Sequence, residues 1–289
     1  MEFNDKQELG ELFKEMRLAR GLKLKDIASD NLTVSQLSKF ENGYNMLSAD
    51  RLLKAIEGLH MSFAEFGMAM NHYDVDDLTK LSYRISQSRQ RNDVAGLQEL
   101  LKEYSEPQNL PMYQFLEYVL IQNNLQSLGG EYQITKEEID RVTQYFYNVE
   151  IWTGYDLFIF GNTMDLYSTD DLIFIAKSLW QDSQKFINLS NYRVGIKGFL
   201  VNIIAVFIER NENYYAQYYL ERLSSMLHYQ DVLEKIFIEF YNRFLQCKAN
   251  HFASDQDMLN FFTSLELLGA KDFAQSLSHQ YILLKNHCS

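Results

Sequence analysis

Apolar and polar positions alternate along the whole chain with the period of a helix. Leu9, Leu12, Phe13 and Met16 recur three and four residues apart, and Gly21 follows as a left-handed cap. Leu24, Ile27 and Ala28 give a short second buried face, which Ser29-Asp30-Asn31 ends by offering the backbone turn-forming side chains. A third helix opens at Thr33, with Gln36 at the reciprocal capping position, and closes at Gly43. Its buried stripe is Leu37 and Phe40, flanked by Val34, so Ser35, Ser38 and Lys39 face elsewhere. Ser48 can cap a fourth helix with Leu52, Leu53 and Ile56 inside and Gly58 beyond its end. Ser62 and Glu65 form a capping box for a fifth, stapled by Met61 and Phe66.

Beyond residue 66 the pattern weakens, and residues 67–77 read as a linker. Helical periodicity then returns in segments 78–91, 94–104, 113–125, 135–148, 154–166, 170–186, 192–210, 213–228, 231–249, 254–268 and 270–286. The longer helices start near 111, 154, 192 and 231, so helix pairs repeat at roughly 40 residues, the period of helical-repeat solenoids. No segment carries the full tetratricopeptide consensus. In such stacks the first helix of each pair lines a concave face suited to an extended ligand.

Helix 2, turn, helix 3 is the helix-turn-helix order. The frame Leu22 to Ala28 and the run Leu37-Ser38-Lys39-Phe40-Glu41-Asn42-Gly43 resemble the XRE (Cro/CI-type) repressor family, with Leu24 where that family often carries glutamine. The motif's docking geometry would put the N-terminal half of helix 3 in the major groove of double-stranded DNA. Val34 would meet a thymine methyl, Ser35 and Ser38 base edges or phosphates, and Lys39 guanine acceptors or the backbone. Gln36 has to choose between capping and DNA. Arg17, Lys23 and Lys25, with Lys14 and Arg20, form a local cationic cluster for phosphates.

Composition sharpens this division. With 2 Pro and 13 Gly in 289 residues, long uninterrupted helices are expected, packed through the 20 Phe and 19 Tyr. The net charge is −12. Residues 1–66 hold nine Lys+Arg against eleven Asp+Glu and the remainder 18 against 28, so the C-terminal part should repel DNA and reads as a sensing or assembly domain. Cys247 and Cys288 give neither a disulfide framework nor metal-ligand spacing; the first reads as a buried apolar residue, the second as part of a tail. Met1 to Asp5 lack the basic start of a signal peptide, and the longest oily stretch, Phe199 to Ile208, is too short to span a bilayer. A soluble cytoplasmic protein without membrane contact is expected. No catalytic or cofactor motif emerges, so neither an enzyme nor a cofactor is expected.

Asn162, Asn202 and Asn242 recur about once per repeat inside oily helices. An amide side chain offers the one acceptor and two donors that a peptide backbone requires, or it bonds a neighbouring helix. Tyr113, Glu117, Arg193, Phe199 and Glu239 are further candidates for the walls of such a site.

The order of these features resembles the Rgg family of transcription regulators. The residues that carry the resemblance are Ser35 to Gly43, Tyr145 to Asn162 (with Val149-Glu150-x-Trp152-x-x-Tyr155 and Gly161-Asn162) and Asn202 with its apolar flanks. It implies an all-α protein: a five-helix XRE-type helix-turn-helix domain over 1–66, then, over 78–289, a tetratricopeptide-like right-handed helical-repeat superhelix. It further implies a homodimer that binds promoter DNA as paired half-sites, contacts itself through its N-terminal domains and C-terminal helices, and takes a short hydrophobic peptide pheromone in the groove. The last helix, with Phe273, Leu277, Tyr281 and Leu284 on one face, is the candidate repeat cap and part of that dimer surface, or it seals its own core. The intersubunit disulfide of some relatives is unavailable, since residues 1–66 hold no cysteine. Two other readings stay open: a ligand-independent repressor that uses the repeat for dimerisation, and a protein-interaction adaptor.

Overall fold

The structure, a computed structural model, describes residues 6–104 and 106–288. Met1 to Asp5 and the side chain of Cys288 lie outside the described residues. Among those residues there are sixteen α-helices and no strand, only an isolated bridge between Ser29 and Leu32. None of these helices is long and apolar enough to cross a membrane. Internal contacts divide the chain into units 1–84 and 85–289.

The first unit holds α1 (Lys6–Ala19), α2 (Leu24–Ile27), α3 (Val34–Glu41), α4 (Ala49–Gly58) and α5 (Phe63–Met70). Leu9, Phe13, Ile27, Leu37, Phe40, Ile56, Leu59 and Phe66 form one buried core, with the Phe13 and Phe40 rings 5.6 Å apart. Local chemistry sets the helix boundaries. Thr33 and Ser62 cap α3 and α5, each in the reciprocal arrangement with Gln36 and Glu65. Ser48 stands at the cap of α4, but its hydroxyl donates to Asp50 instead of accepting from the helix. Gly58 is the last residue of α4, not a left-handed cap: His60 makes that turn, at φ 55°. A Cβ at Gly58 would lie 2.7 Å from Ile27 Cγ2, so its smallness serves the approach of α4 to α2. Since α5 runs to Met70, the expected linker loses its first four residues to a helix.

α6 (Asp77–Arg91) crosses the division between the units. The second unit then continues with α7 (Val94–Lys102), α8 (Met112–Ser127), α9 (Lys136–Tyr147), α10 (Gly154–Gly161), α11 (Thr169–Ser183) and α12 (Ser190–Glu209). The last four are α13 (Asn213–Met226), α14 (Val232–Ala249), α15 (Gln256–Leu267) and α16 (Lys271–Cys288). α8, α10, α12, α14 and α16 are successive neighbours, and α13 adjoins both α12 and α14 as α15 adjoins both α14 and α16.

The roughly 40-residue period reappears as hydrogen bonds between equivalent helices. Tyr155 donates to the Tyr113 carbonyl 42 residues back, Asn202 to that of Gly161 41 back, and Tyr241 to that of Val201 40 back. Between these bonds the core is aromatic: Phe146 stacks on Trp152 at 5.5 Å, and Phe207 on Tyr219 at 5.8 Å. Cys247 is a buried free thiol. In α16, Leu277, Tyr281 and Leu284 are buried and Phe273 packs edge-on against Phe237. The face expected to meet a second copy therefore seals the chain's own core.

Candidate functional site

In the first unit the site is the outer face of α3. The Thr33 amide donates to Gln36 Oε1 at 2.9 Å and the Gln36 amide to Thr33 Oγ1 at 3.2 Å, which fixes the first turn. Burial of Leu37 and Phe40 then turns Val34, Ser35 and Lys39 outward and leaves Ser38 half-buried. Capping occupies the oxygen of Gln36, so its two Nε2 hydrogens remain for an outside acceptor. At the other end Gly43 adopts φ 73°, which lets the Tyr44 amide close on the Lys39 carbonyl at 2.9 Å.

Lys23 and Lys25 are exposed, as a phosphate contact requires. Arg17 is not. It is 7% exposed, and its guanidinium grips Glu41 through Nε at 2.6 Å and Nη2 at 2.7 Å while Nη1 donates to the Leu22 carbonyl. Hydrogen bonding to Glu41 holds its pKa above the ordinary value. Arg17 is therefore a strut between α1 and α3, and its expected role toward DNA is withdrawn. The helices themselves meet closely, for a Cβ on Gly10 would lie 2.0 Å from the Phe40 carbonyl oxygen.

In the second unit the structure brings two of the three asparagines together, at the C-terminal end of α10. Asn162 Nδ2 donates to the Phe158 carbonyl at 2.7 Å, a local cap, and Asn202 reaches across from α12 to the Gly161 carbonyl at 3.0 Å. Both side chains are exposed, and neither amide oxygen has a hydrogen bond among the described residues. Asn242 is half-buried on α14, without a side-chain hydrogen bond among the described residues.

The flanking candidates divide. Tyr113 is exposed, its ring edge-on to those of Tyr145 and Tyr155. Glu117 is half-buried and accepts from the Tyr104 hydroxyl; Glu239 is exposed beside Arg243 at 3.4 Å. Phe199 is buried between Phe160 and Tyr219, so it belongs to the core and forms no wall. Arg193 is likewise committed. Its Nη2 donates to the Met226 carbonyl at 2.6 Å and lies 3.7 Å from Asp231, which also pairs with the buried Lys197 at 2.8 Å.

A polar string behind the asparagines was passed over in the sequence. Asn123 donates to Asp165 at 2.9 Å and to the Asn162 carbonyl at 3.2 Å, and Arg210 donates to the carbonyls of Met164 and Asp165. Burial pushes the Arg210 guanidinium down from its ordinary pKa. The available signal was the run Gln122-Asn123-Asn124 within oily α8, where buried amides demand partners.

Comparison with known proteins agrees with this layout. Residues 13–66 match a helix-turn-helix family model, and residues 96–279 match the model of the HTH-type transcriptional regulator Rgg, C-terminal domain. The fold is similar to that of the Streptococcus dysgalactiae SHP pheromone receptor Rgg2, at TM-score 0.73 and 21% identity over 94% of this chain and 98% of that one. It is also similar to a candidate transcriptional regulator from Listeria monocytogenes EGD-e, at 0.78 and 18% over 96% of each chain. The PrgX/cCF10 complex aligns at 0.69 and 18%, over 96% of this chain and 92% of that one. With the Rgg model covering well over half of its length behind a helix-turn-helix unit, the chain belongs to the Rgg family of transcription regulators.

Proposed function

We propose that the chain is a cytosolic regulator that binds promoter DNA as a homodimer and responds to a short, mostly hydrophobic imported peptide. The observation that carries the ligand half is the convergence of Asn162 and Asn202 at the end of α10, both exposed and neither with its amide oxygen bonded among the described residues. Two such amides facing solvent suit the alternating donors and acceptors of an extended peptide backbone, with Asn242 further along the same row of helices. That solved relatives include an SHP pheromone receptor and a complex of PrgX with cCF10 supports the reading.

The DNA half rests on Val34, Ser35, Gln36, Ser38 and Lys39 on the outer face of α3, with Lys23 and Lys25 as phosphate contacts. For the second copy, the buried face of α16 is replaced by the exposed apolar residues of the last pair. Leu267 and Leu268 are 84% and 81% exposed, Ile282 and Leu283 are exposed as well, and contact with a partner would cover them. Peptide then acts through its different affinity for two settings of the repeats. Calorimetric titration of the purified protein with short hydrophobic peptides encoded beside its gene tests this. Saturable binding of one peptide supports the sensor, and no binding of any favours a ligand-independent repressor.

A further inference from the structure

The segment Val149-Glu150-Ile151-Trp152-Thr153 joins α9 to α10, and Trp152 pins it. The indole is fully buried against Phe146, and the Trp152 amide donates to Asp182 Oδ2 at 2.9 Å. With that anchor inside, Glu150 and Ile151 stand exposed. They border an open cleft of ≈ 540 Å³ whose other walls include Tyr113, Tyr145, Arg141 and Asp156.

Two features give the cleft a polarity. The Tyr113 and Tyr145 rings meet edge to face, centroids 6.3 Å apart at 76°, and Tyr113 stays 60% exposed as an aromatic wall. Aromatic faces attract cations. Asp156 is 4% exposed, and its carboxylate accepts from the Tyr145 hydroxyl at 2.5 Å, the Thr153 amide at 2.8 Å and the Thr153 hydroxyl at 2.6 Å. All three donors are neutral. Neither Asp156 nor the exposed Glu150 pairs with a Lys or Arg among the described residues, so two carboxylates share the lining with one cation. Arg141 is the cation in the lining, and its guanidinium is committed: it lies 3.9 Å over the Phe115 ring and donates to the Leu110 carbonyl at 3.1 Å.

We propose that this cleft binds a primary ammonium group, seated against the exposed ring of Tyr113 beside Tyr145 and countered by Glu150 and Asp156. The inference rests on the peptide reading only for its source, which is the free N-terminus of the bound peptide or a lysine side chain within it. The site lies on α8, α9 and the start of α10, apart from the asparagines at the far end of α10.

The test uses the full chain with tyrosine rings labelled for NMR and two small probes of equal shape, phenethylammonium and 2-phenylethanol, with phenylacetate as the anionic control. The ammonium should bind roughly three- to tenfold more tightly and shift the Tyr113 and Tyr145 ring signals. Glu150→Gln and Tyr113→Ala, both at exposed side chains, should shrink that preference without lowering the melting temperature. Equal binding of the two probes, or a preference for phenylacetate, would overturn the proposal and give the cleft to Arg141. The source is then read by competition among Leu-Val-Leu-Val-amide with a free N-terminus, its acetylated form, and the acetylated form carrying one lysine. Displacement by a charged form and not by the neutral one supports the proposal and names the source. A neutral form that competes equally would sink it. An ammonium preference that no peptide displaces upholds the cleft while counting against peptide control.

Discussion

Arg17 and Glu41, 24 residues apart, form a buried bidentate ion pair that ties α1 to the C-terminal end of α3. Among the described residues both charges are satisfied by each other and by the Leu22 carbonyl, so removing one strands the other in an apolar setting. Glu41→Ala should therefore cost the first unit roughly 3 to 5 kcal/mol and abolish DNA binding through unfolding of α3. Chemical denaturation followed by circular dichroism measures this; an unchanged midpoint would contradict the strut.

Two glycines make a sharper contrast. Gly10→Ala puts a methyl 2.0 Å from a backbone oxygen that cannot move without α3. It should cost at least about 1 to 3 kcal/mol, as overpacking does. Gly67→Ala, inside α5 with no atom within 4 Å of the new methyl, should stabilise by up to about 1 kcal/mol through helix propensity alone. Thermal melts of the two variants should move in opposite directions.

The outer face of α3 predicts a separable defect. Ser35→Ala with Lys39→Ala should remove specific DNA binding and leave the melting temperature and the affinity for peptide intact. If Lys39 meets a phosphate, the single variant should reduce the slope of log affinity against log salt by about 1, whereas a base contact would relax sequence preference instead. An unchanged footprint for the double variant would move the DNA contact off this face.

Asp231 gives a pH signature. Its carboxylate is drawn from 3.8 down to about 2, first by the His228 amide and then by Lys197. A depressed pKa contributes stability above the unfolded value, and that contribution fades as pH falls toward the folded one. Asp231→Asn should melt lower than the parent at pH 7, and the gap should close between about pH 4 and pH 2. A gap constant across that window would show that charge plays no part.

The fold was legible because its two devices are local. Capping residues such as Thr33 and Ser62 announce helix starts within four positions, and the repeat follows from the spacing of helix starts alone. The sites were less so. Arg17 sits in a run of cations that a periodicity argument sees as one surface, and only its partner at position 41 takes it inside. Phe199 and Arg193 failed for the same reason: their fates are decided by Phe160, Tyr219 and the Met226 carbonyl, far away in sequence. Asn202 lies in an oily run that suggests burial, yet it emerges on the exposed side of α12, where its amide meets the Gly161 carbonyl.

The central claim is that a peptide at Asn162 and Asn202 changes what α3 does to DNA. The direct measurement is the affinity of the purified protein for a fluorescent fragment of its own upstream intergenic region, with and without each short hydrophobic peptide encoded nearby, for the parent and for Asn202→Ala. The account predicts that one peptide alone shifts the parent's DNA affinity or its transcriptional output, and that Asn202→Ala keeps basal DNA affinity while losing that shift. A specific DNA complex indifferent to every peptide, or a variant that loses basal affinity and peptide response together, would contradict it.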